Sequence, residues 1–281
     1  MSEPGARPSF PATSSTLIDA PMHIFREPRV TVLARQEFTV PSHIKWHSDS
    51  EVAGEALAEF AGRLCYLSFG EDAGLEGGHK TIPGRTTNQA YLANILNTKH
   101  GSVLEHAVWS LLFEGVSRTL THELVRHRAG FGFSQLSQRY VDESNIGFVL
   151  PPEIDEGTPA FDIWAQACES SLGSYRALLA TMTDQVSESG TATMRKKRAR
   201  QAARAVLLNC AETKIVVTGN ARAWRHFCEM RGSPTAEIEI RKLAVEVLQT
   251  LQAEAPHIFS DMRFVEHEDG VPVIETDHGK V

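Results

Sequence analysis

Hydrophobic positions recur along this chain in two periods. Arg29-Val30-Thr31-Val32-Leu33-Ala34 sets β-branched residues at short spacing and predicts a first strand. From Glu51 to Leu67 the apolar residues Val52, Leu57, Phe60, Ala61 and Leu64 fall at helical spacing. Residues 70–84 hold several glycines and a proline, so they predict a loop. Thr87 to Thr98 predicts a second helix, with Gly101 as its stop signal. Ala107 to Val116 is rich in Val, Trp, Leu and Phe and predicts a strand. Ser117 is placed to cap a helix running from Arg118 to about Arg128. Gly130 and Gly132 then predict a flexible loop as far as Tyr140, and Pro151-Pro152 marks a break. Helices follow over Phe161 to Val186 and Arg195 to Leu208, then a short strand over Lys214 to Thr218 and a helix capped by Asn220 that runs through Met230. In the last helix, starting near Thr235, Ile240, Leu243, Ala244, Val247, Leu248 and Leu251 form one buried stripe. After Pro256 the chain is acidic and reads as loop.

The 281 residues, 42% hydrophobic, suffice for one sizeable domain with tails. Pro, Ser, Thr and Gly dominate residues 1–24, which read as a flexible extension; the domain spans 25–265, and 266–281 read as a C-terminal tail. A net charge of −7 disfavours nucleic acid or a membrane surface as a bulk partner, while leaving room for a local basic patch. Cys65, Cys168, Cys210 and Cys228 are scattered and form no C-x-x-C pair, so reduced thiols are expected. No run approaches the roughly 18 apolar residues that span a bilayer. The polar start, Met1 to Thr16, lacks the apolar core of a secretion signal, and a cytoplasmic location is expected.

Chemistry concentrates in Arg126-His127-Arg128-Ala129-Gly130-Phe131-Gly132-Phe133-Ser134-Gln135-Leu136-Ser137-Gln138-Arg139-Tyr140. Alone, R-H-R reads as a polar helix end whose cations meet the C-terminal dipole. Followed by Ser137 and Arg139 it reads as an anion site, because arginine forks bind phosphate bidentately. Three other motifs fail on spacing or context. His122-Glu123 with His127 has its second histidine five residues on, not four, which spoils a zinc-protease chelate. Gly130-x-Gly132 lacks the third glycine of a dinucleotide fingerprint. None of the four cysteines has the Pro-Cys-His setting of a cysteine-dependent thymidylate synthase.

The R-H-R segment resembles the signature of flavin-dependent thymidylate synthases: R-H-R, seven residues, then Ser-x-Arg-Tyr. Here eight residues, 129–136, precede Ser137-Gln138-Arg139-Tyr140. Three further elements are similar to the same family. These are His100-Gly101-Ser102-Val103-Leu104-Glu105-His106, Arg204-Ala205-Val206-Leu207, and the stretch Asn220 to Arg231 that contains Asn220-x-Arg222 and His226. Thr235 stands where relatives often have His. The resemblance covers roughly residues 28–255. It implies a mixed α/β (α+β) fold with a small antiparallel sheet and long helices. It implies that Glu123, Arg126, Gln135, Ser137, Gln138, Arg139, Arg204 and Arg231 bind dUMP, with Arg231 as the catalytic group on the uracil. It implies that His100, Ser102, Arg126, His127, Arg128, Gln135, Asn220, Arg222 and His226 hold FAD, with no metal. The implied activity is methylation of dUMP to dTMP, with methylenetetrahydrofolate as carbon donor, NADPH as reductant and a homotetramer whose sites are shared. Two alternatives stay open at this point: an RNA-binding module using the basic stretch 194–204, and a protein of the same shape that binds both ligands without turnover.

Overall fold

The alternation in residues 108–117 builds the centre of the molecule. The computed structural model describes residues 22–76, 83–185 and 191–281. Most of the expected N-terminal extension, part of the 70–84 loop and the end of the long helix at Val186 therefore lie outside the described residues. Strand β3 (Val108–Ser117) points Trp109, Leu111 and Phe113 to a buried face, and β6 (Glu212–Asn220) adds Ile215 and Val217. With β2 (Arg29–Arg35) and β4 (Phe131–Gln135) they form a four-stranded antiparallel sheet in the order β2-β3-β6-β4. The other face stays polar in part: Ser110 and Thr218 share a 2.7 Å hydrogen bond, and Lys214 pairs with Glu114 at 2.6 Å.

Helices cover the apolar face. α1 (Ala53–Cys65) and α2 (Asn88–Asn97) lie on one side, with Thr87 capping α2. α6 (Ala221–Arg231) contributes Trp224, Phe227 and Cys228 to the core. α7 (Ile238–Glu254) buries the stripe from Ile240 to Leu251 that its spacing predicts. Each fully buried large apolar side chain contributes about 1.5–3 kcal/mol relative to exposure. A second, smaller core forms where β5 (Phe148–Val149) meets α4 (Pro159–Gln185), around Phe148, Trp164, Cys168 and Leu172. α5 (Ala192–Ala203) packs on α4 and leads into a short 3-10 turn, Arg204–Val206.

Four expectations are corrected. Helix α3 (Arg118–Leu124), capped by Ser117 through a 3.0 Å bond from the Leu120 N–H, ends before Arg126, so R-H-R lies in a turn and not in a helix. The glycine-rich loop after it is largely β4, paired in unbroken register with β6 from Phe131↔Gly219 to Gln135↔Ile215. Helix α2 ends at Asn97 with Thr98 as its C-cap, the chain leaves it through Lys99 at a left-handed φ of 56°, and Gly101 serves close approach instead: a Cβ there would lie 2.5 Å from Val281. The acidic segment after Pro256 contains a hairpin of β7 (Met262–Val265) and β8 (Val273–Thr276), the second strand falling within 266–281. In addition, β1 (Ile24–Phe25) pairs parallel with β5, so residue 24 belongs to the folded body.

Candidate active site

α6 organises the site from both ends. At its start, the Asn220 side-chain oxygen accepts from the Ala223 N–H at 2.9 Å, which caps the helix. The Asn220 backbone N–H donates to Gly130, at the turn that enters β4. Gly130 has φ 77°, and a Cβ there would lie 2.8 Å from that of Ala223, so this close crossing requires glycine. At the other end of α6, Arg231 reaches the end of α3. Its Nε donates to His127 Nε2 at 2.8 Å and its Nη1 to the Glu123 carboxylate at 2.6 Å. His127 therefore accepts at Nε2 and carries its proton at Nδ1. Burial, then Arg231 and His226, push the His127 pKa down to about 4, so the ring is neutral at pH 7. Burial and Glu237 hold the Glu123 carboxyl above its ordinary range against the opposing pull of Arg231. Arg126, His127, Arg128, Ala129, Phe131, His226 and Arg231 line one cavity of about 610 Å³.

A second basic group has the opposite character. Beyond β4 the chain turns tightly, with the Tyr140 and Val141 N–H groups donating to the Ser137 carbonyl at 3.0 Å. Gln135 stays on the strand and donates to Thr121 at 3.0 Å. Gln138 Nε2, Arg139 Nε and Arg118 Nη1 are buried without an acceptor among the described residues. Burial lowers the Arg118 pKa, and its charged neighbours are Glu143, which raises it, and Arg204, which lowers it. Glu143 in turn is pushed up to about 7 by burial and by Glu212, against Arg118. The basic face of α5 is partly committed to this turn: Arg200 donates to the Tyr140 carbonyl at 2.6 Å, and Lys197 lies 4.7 Å from the Tyr140 ring centre.

His100 and Ser102 belong to a 3-10 turn, Gly101–His106, and its start. Glu105 of this turn pairs with Arg222 of α6 at 2.6 Å. His100 lines a different cavity, of about 580 Å³, shared with Tyr66, Arg85, Tyr91 and Asn94.

The sequence model of the thymidylate synthase complementing protein family matches residues 49–257. Flavin-dependent thymidylate synthases from Mycolicibacterium gilvum and from Mycobacterium sp. strain KMS are 46% and 47% identical to this chain. The matches span 87% and 88% of it, and 94% and 95% of the relatives. The chain belongs to the flavin-dependent thymidylate synthase family. The enzyme of that name from Mycobacterium tuberculosis is 44% identical over 245 residues. A crystal structure of a UMP/dUMP methylase, PolB from Streptomyces cacaoi, bound with 5-Br dUMP, shares the fold. Its TM-score is 0.59 at 19% identity, covering 85% of this chain and 96% of that one.

For a flavin-dependent thymidylate synthase, the expected residues fall into three groups. Glu123, His127, His226 and Arg231 come together with Arg126 and Arg128 around one cavity. Ser137, Gln138 and Arg139 share a turn, and the charge of Arg204 is near enough to help lower the Arg118 pKa. Ser102 and Glu105 belong to a turn packed against α6, where Glu105 pairs with Arg222, and His100 faces another cavity of the same chain. Thr235 is exposed and bonded to Ser233 at 3.0 Å. Sequence reasoning missed Arg118 and Glu143. Arg118 was read only as the residue after a helix cap; an arginine in the first turn, where the helix dipole disfavours a cation, was the available signal.

Proposed function

We propose that this chain carries out reductive methylation of dUMP to dTMP, using methylenetetrahydrofolate as carbon donor and NADPH-reduced FAD as electron donor. The observation that carries this reading is the pairing of two arginine groups. One, Arg231, is fixed by Glu123 and His127. The other has buried N–H donors at Arg118, Gln138 and Arg139 without an acceptor. Such donors suit a phosphate, which offers several strong acceptors and a permanent charge. Ser137, Arg139 and Arg204 hold that phosphate, and Gln135 and Gln138 orient the nucleotide. Arg126, which lines the cavity of the Arg231 group, serves both ligands.

Arg231 faces the uracil, where negative charge builds as C5 attacks the donor carbon. A guanidinium already locked in position stabilises that charge without reorganising. Neutral His127 keeps Arg231 as the only cation of the pair and fixes its plane. Arg126, His127, Arg128 and His226, which line one cavity with Phe131, offer together with Asn220 and Arg222 the cationic and aromatic surface that a flavin with its pyrophosphate requires. Asn220 uses its oxygen as a cap and keeps its NH₂ for the ligand. When bound, FAD supplies the two electrons that reduce the transferred carbon to methyl.

His100 and Ser102 complete the flavin site from a neighbouring subunit of a homotetramer. The position of His100 on a cavity separate from Arg126–Arg128 within one chain supports this arrangement. A cytoplasmic location fits the four unpaired thiols. Among the described residues no helix is long and apolar enough to cross a membrane.

The test is a turnover assay on purified protein, with FAD, NADPH, methylenetetrahydrofolate and dUMP omitted one at a time. Chromatography should detect dTMP only in the complete mixture, and FAD alone should raise the Tm by mass action. Production of dTMP without flavin, or no dTMP from the complete mixture, overturns the reading. An active monomer with bound flavin in light scattering overturns the shared site.

A further inference from the structure

Two of the four cysteines, 42 residues apart in sequence, meet in the second core. Cys168 lies on the buried face of α4, between Trp164 and Leu172. Cys210 lies in the turn that joins Arg204–Val206 to β6. Their sulfur atoms are 3.8 Å apart. A disulfide requires about 2.05 Å, so closure needs only a small side-chain movement. Both sulfurs stand on well-held backbone. The Val149 N–H donates to the Cys210 carbonyl at 2.8 Å, and Ser171, one turn along α4 from Cys168, donates to the Val206 carbonyl at 2.8 Å. The carbonyls of Asn209 and Ala211 accept from the Thr119 and Arg118 N–H groups, each at 3.1 Å. The pair therefore sits behind the segment that carries Arg204 and supports the start of α3.

We propose that Cys168 and Cys210 are a redox-closing pair: a peroxide converts them to a disulfide that fastens α4 to the segment entering β6. The two thiols have unequal roles. Either sulfur can donate across the contact; with the Cys168 S–H donating to Cys210 the thiolate is favoured there, as it is by the adjoining Trp164 indole. The Cys168 thiol is held well above its ordinary range and keeps its proton. The Cys210 thiolate attacks one peroxide oxygen, the O–O bond breaks, and hydroxide leaves, giving a sulfenic acid. The Cys168 sulfur then attacks the Cys210 sulfur; the S–S bond forms and the S–O bond breaks. Hydroxide departs with the Cys168 proton as water. Two electrons pass from the sulfurs to the peroxide, and an external dithiol reverses the change. Cys65 is exposed but has no partner thiol, and Cys228 is buried, with burial holding its thiol up at about 12.

The experiment is titration of the flavin-loaded full chain with hydrogen peroxide, followed by thiol counting, peptide mapping and thermal unfolding. The expected result is loss of two thiols per chain and one cross-linked peptide joining residues 168 and 210. The Tm should rise, because a closed loop of this length restricts the unfolded chain, and dithiothreitol should reverse both changes. In Cys168→Ala the sulfenic acid should persist at Cys210 and be trapped by dimedone, whereas in Cys210→Ala residue 168 should stay unmodified. Oxidation confined to Cys65, a cross-link other than 168–210, or sulfenic acid at Cys168 in the second variant overturns the proposal. Peptide mapping of the unsubstituted chain decides the matter if either variant fails to fold. The outcome is independent of whether dUMP is methylated.

Discussion

The two arginine groups of the site differ in how their donors are used in the free protein. Arg231 has partners at Nε and both Nη atoms, between His127 and Glu123. Arg118 and Arg139 keep buried N–H groups without acceptors, and Arg118 stands near a like charge, Arg204. A cation already held by a carboxylate gains little from a ligand's permanent charge, since Glu123 offsets it. Its geometry, however, is set before any reaction begins. A cluster of like charges with idle donors is poised for an anion that is charged before and after chemistry. The first arrangement suits charge that develops in a transition state; the second suits binding that is uniform along the reaction.

The sharpest way to break this contrast is Arg231→Ala. Losing a fixed donor to developing charge typically costs about 10²–10³ in kcat. The same fall is expected here, with flavin retained and the KM for dUMP little changed. Steady-state kinetics on protein of verified flavin content measures it. A rise in KM with intact kcat would reverse the assignment of the two groups.

Arg204→Ala and Arg118→Met test the second group. A hydrogen bond to a charged group is worth about 1.5–3 kcal/mol, a roughly 10- to 150-fold rise in the KM for dUMP, with a smaller change in kcat. Arg118→Met carries an additional sign. It removes a half-buried cation from the field of Arg204 and from the first turn of α3, so the Tm of the ligand-free protein should not fall. Calorimetry showing a large loss of stability together with unchanged dUMP binding would make Arg118 a structural residue.

Much of this was legible in the sequence, and unevenly so. The apolar stripe of α7 and the caps Ser117 and Asn220 are local features, and they appear in the structure as read. The motif positions of Arg126–Arg128, Ser137–Arg139 and Arg231 came instead from the family resemblance, and the structure gathers the first and last of these around one cavity. β4 was missed because Gly130 and Gly132 suggested looseness. The alternation Phe131, Gly132, Phe133, Ser134 was in fact a period-two signal, and pairing with β6 decides it. The β7–β8 hairpin was missed because each strand has only 4 residues. Buried donors without acceptors cannot be read from a sequence at all, since burial depends on what the rest of the chain brings up to Arg118.

Acid and base should separate the two groups by opposite effects. The folded pKa of His127, about 4, lies below its ordinary value near 6.5. Its contribution to stability is therefore present above pH 6.5 and is lost as pH falls toward 4, when a proton on Nε2 would displace Arg231. Glu143 is raised from 4.5 to about 7, so its contribution is present below pH 4.5 and is lost as pH rises through 7. Thermal unfolding against pH should show the acid-side decline flattened in His127→Gln, which can still accept from Arg231. The decline toward pH 7 should be flattened in Glu143→Gln. Identical profiles for wild type and both variants would mean that neither group titrates as its surroundings require.

The smallest expected effect concerns the eight residues between Arg128 and Ser137. The register from Phe131↔Gly219 to Gln135↔Ile215 is continuous, so a residue gained or lost inside β4 would turn every later side chain to the other face of the sheet. Length can change only before Phe131, in the turn Ala129–Gly130, where the Phe131 N–H returns to the Arg128 carbonyl at 3.4 Å. Ala129 is exposed. Deleting it should therefore leave Ser137 and Arg139 where β6 holds them, and dUMP affinity should stay within about a factor of two, or roughly 0.4 kcal/mol. The shortened turn instead pulls on Arg126–Arg128, so the change should appear as a modest weakening of FAD binding, measured by quenching of flavin fluorescence. If deletion abolishes dUMP binding while FAD affinity is kept, the turn and not the strand sets the position of Ser137. The contrast between a flexible entry and a fixed strand would then fail.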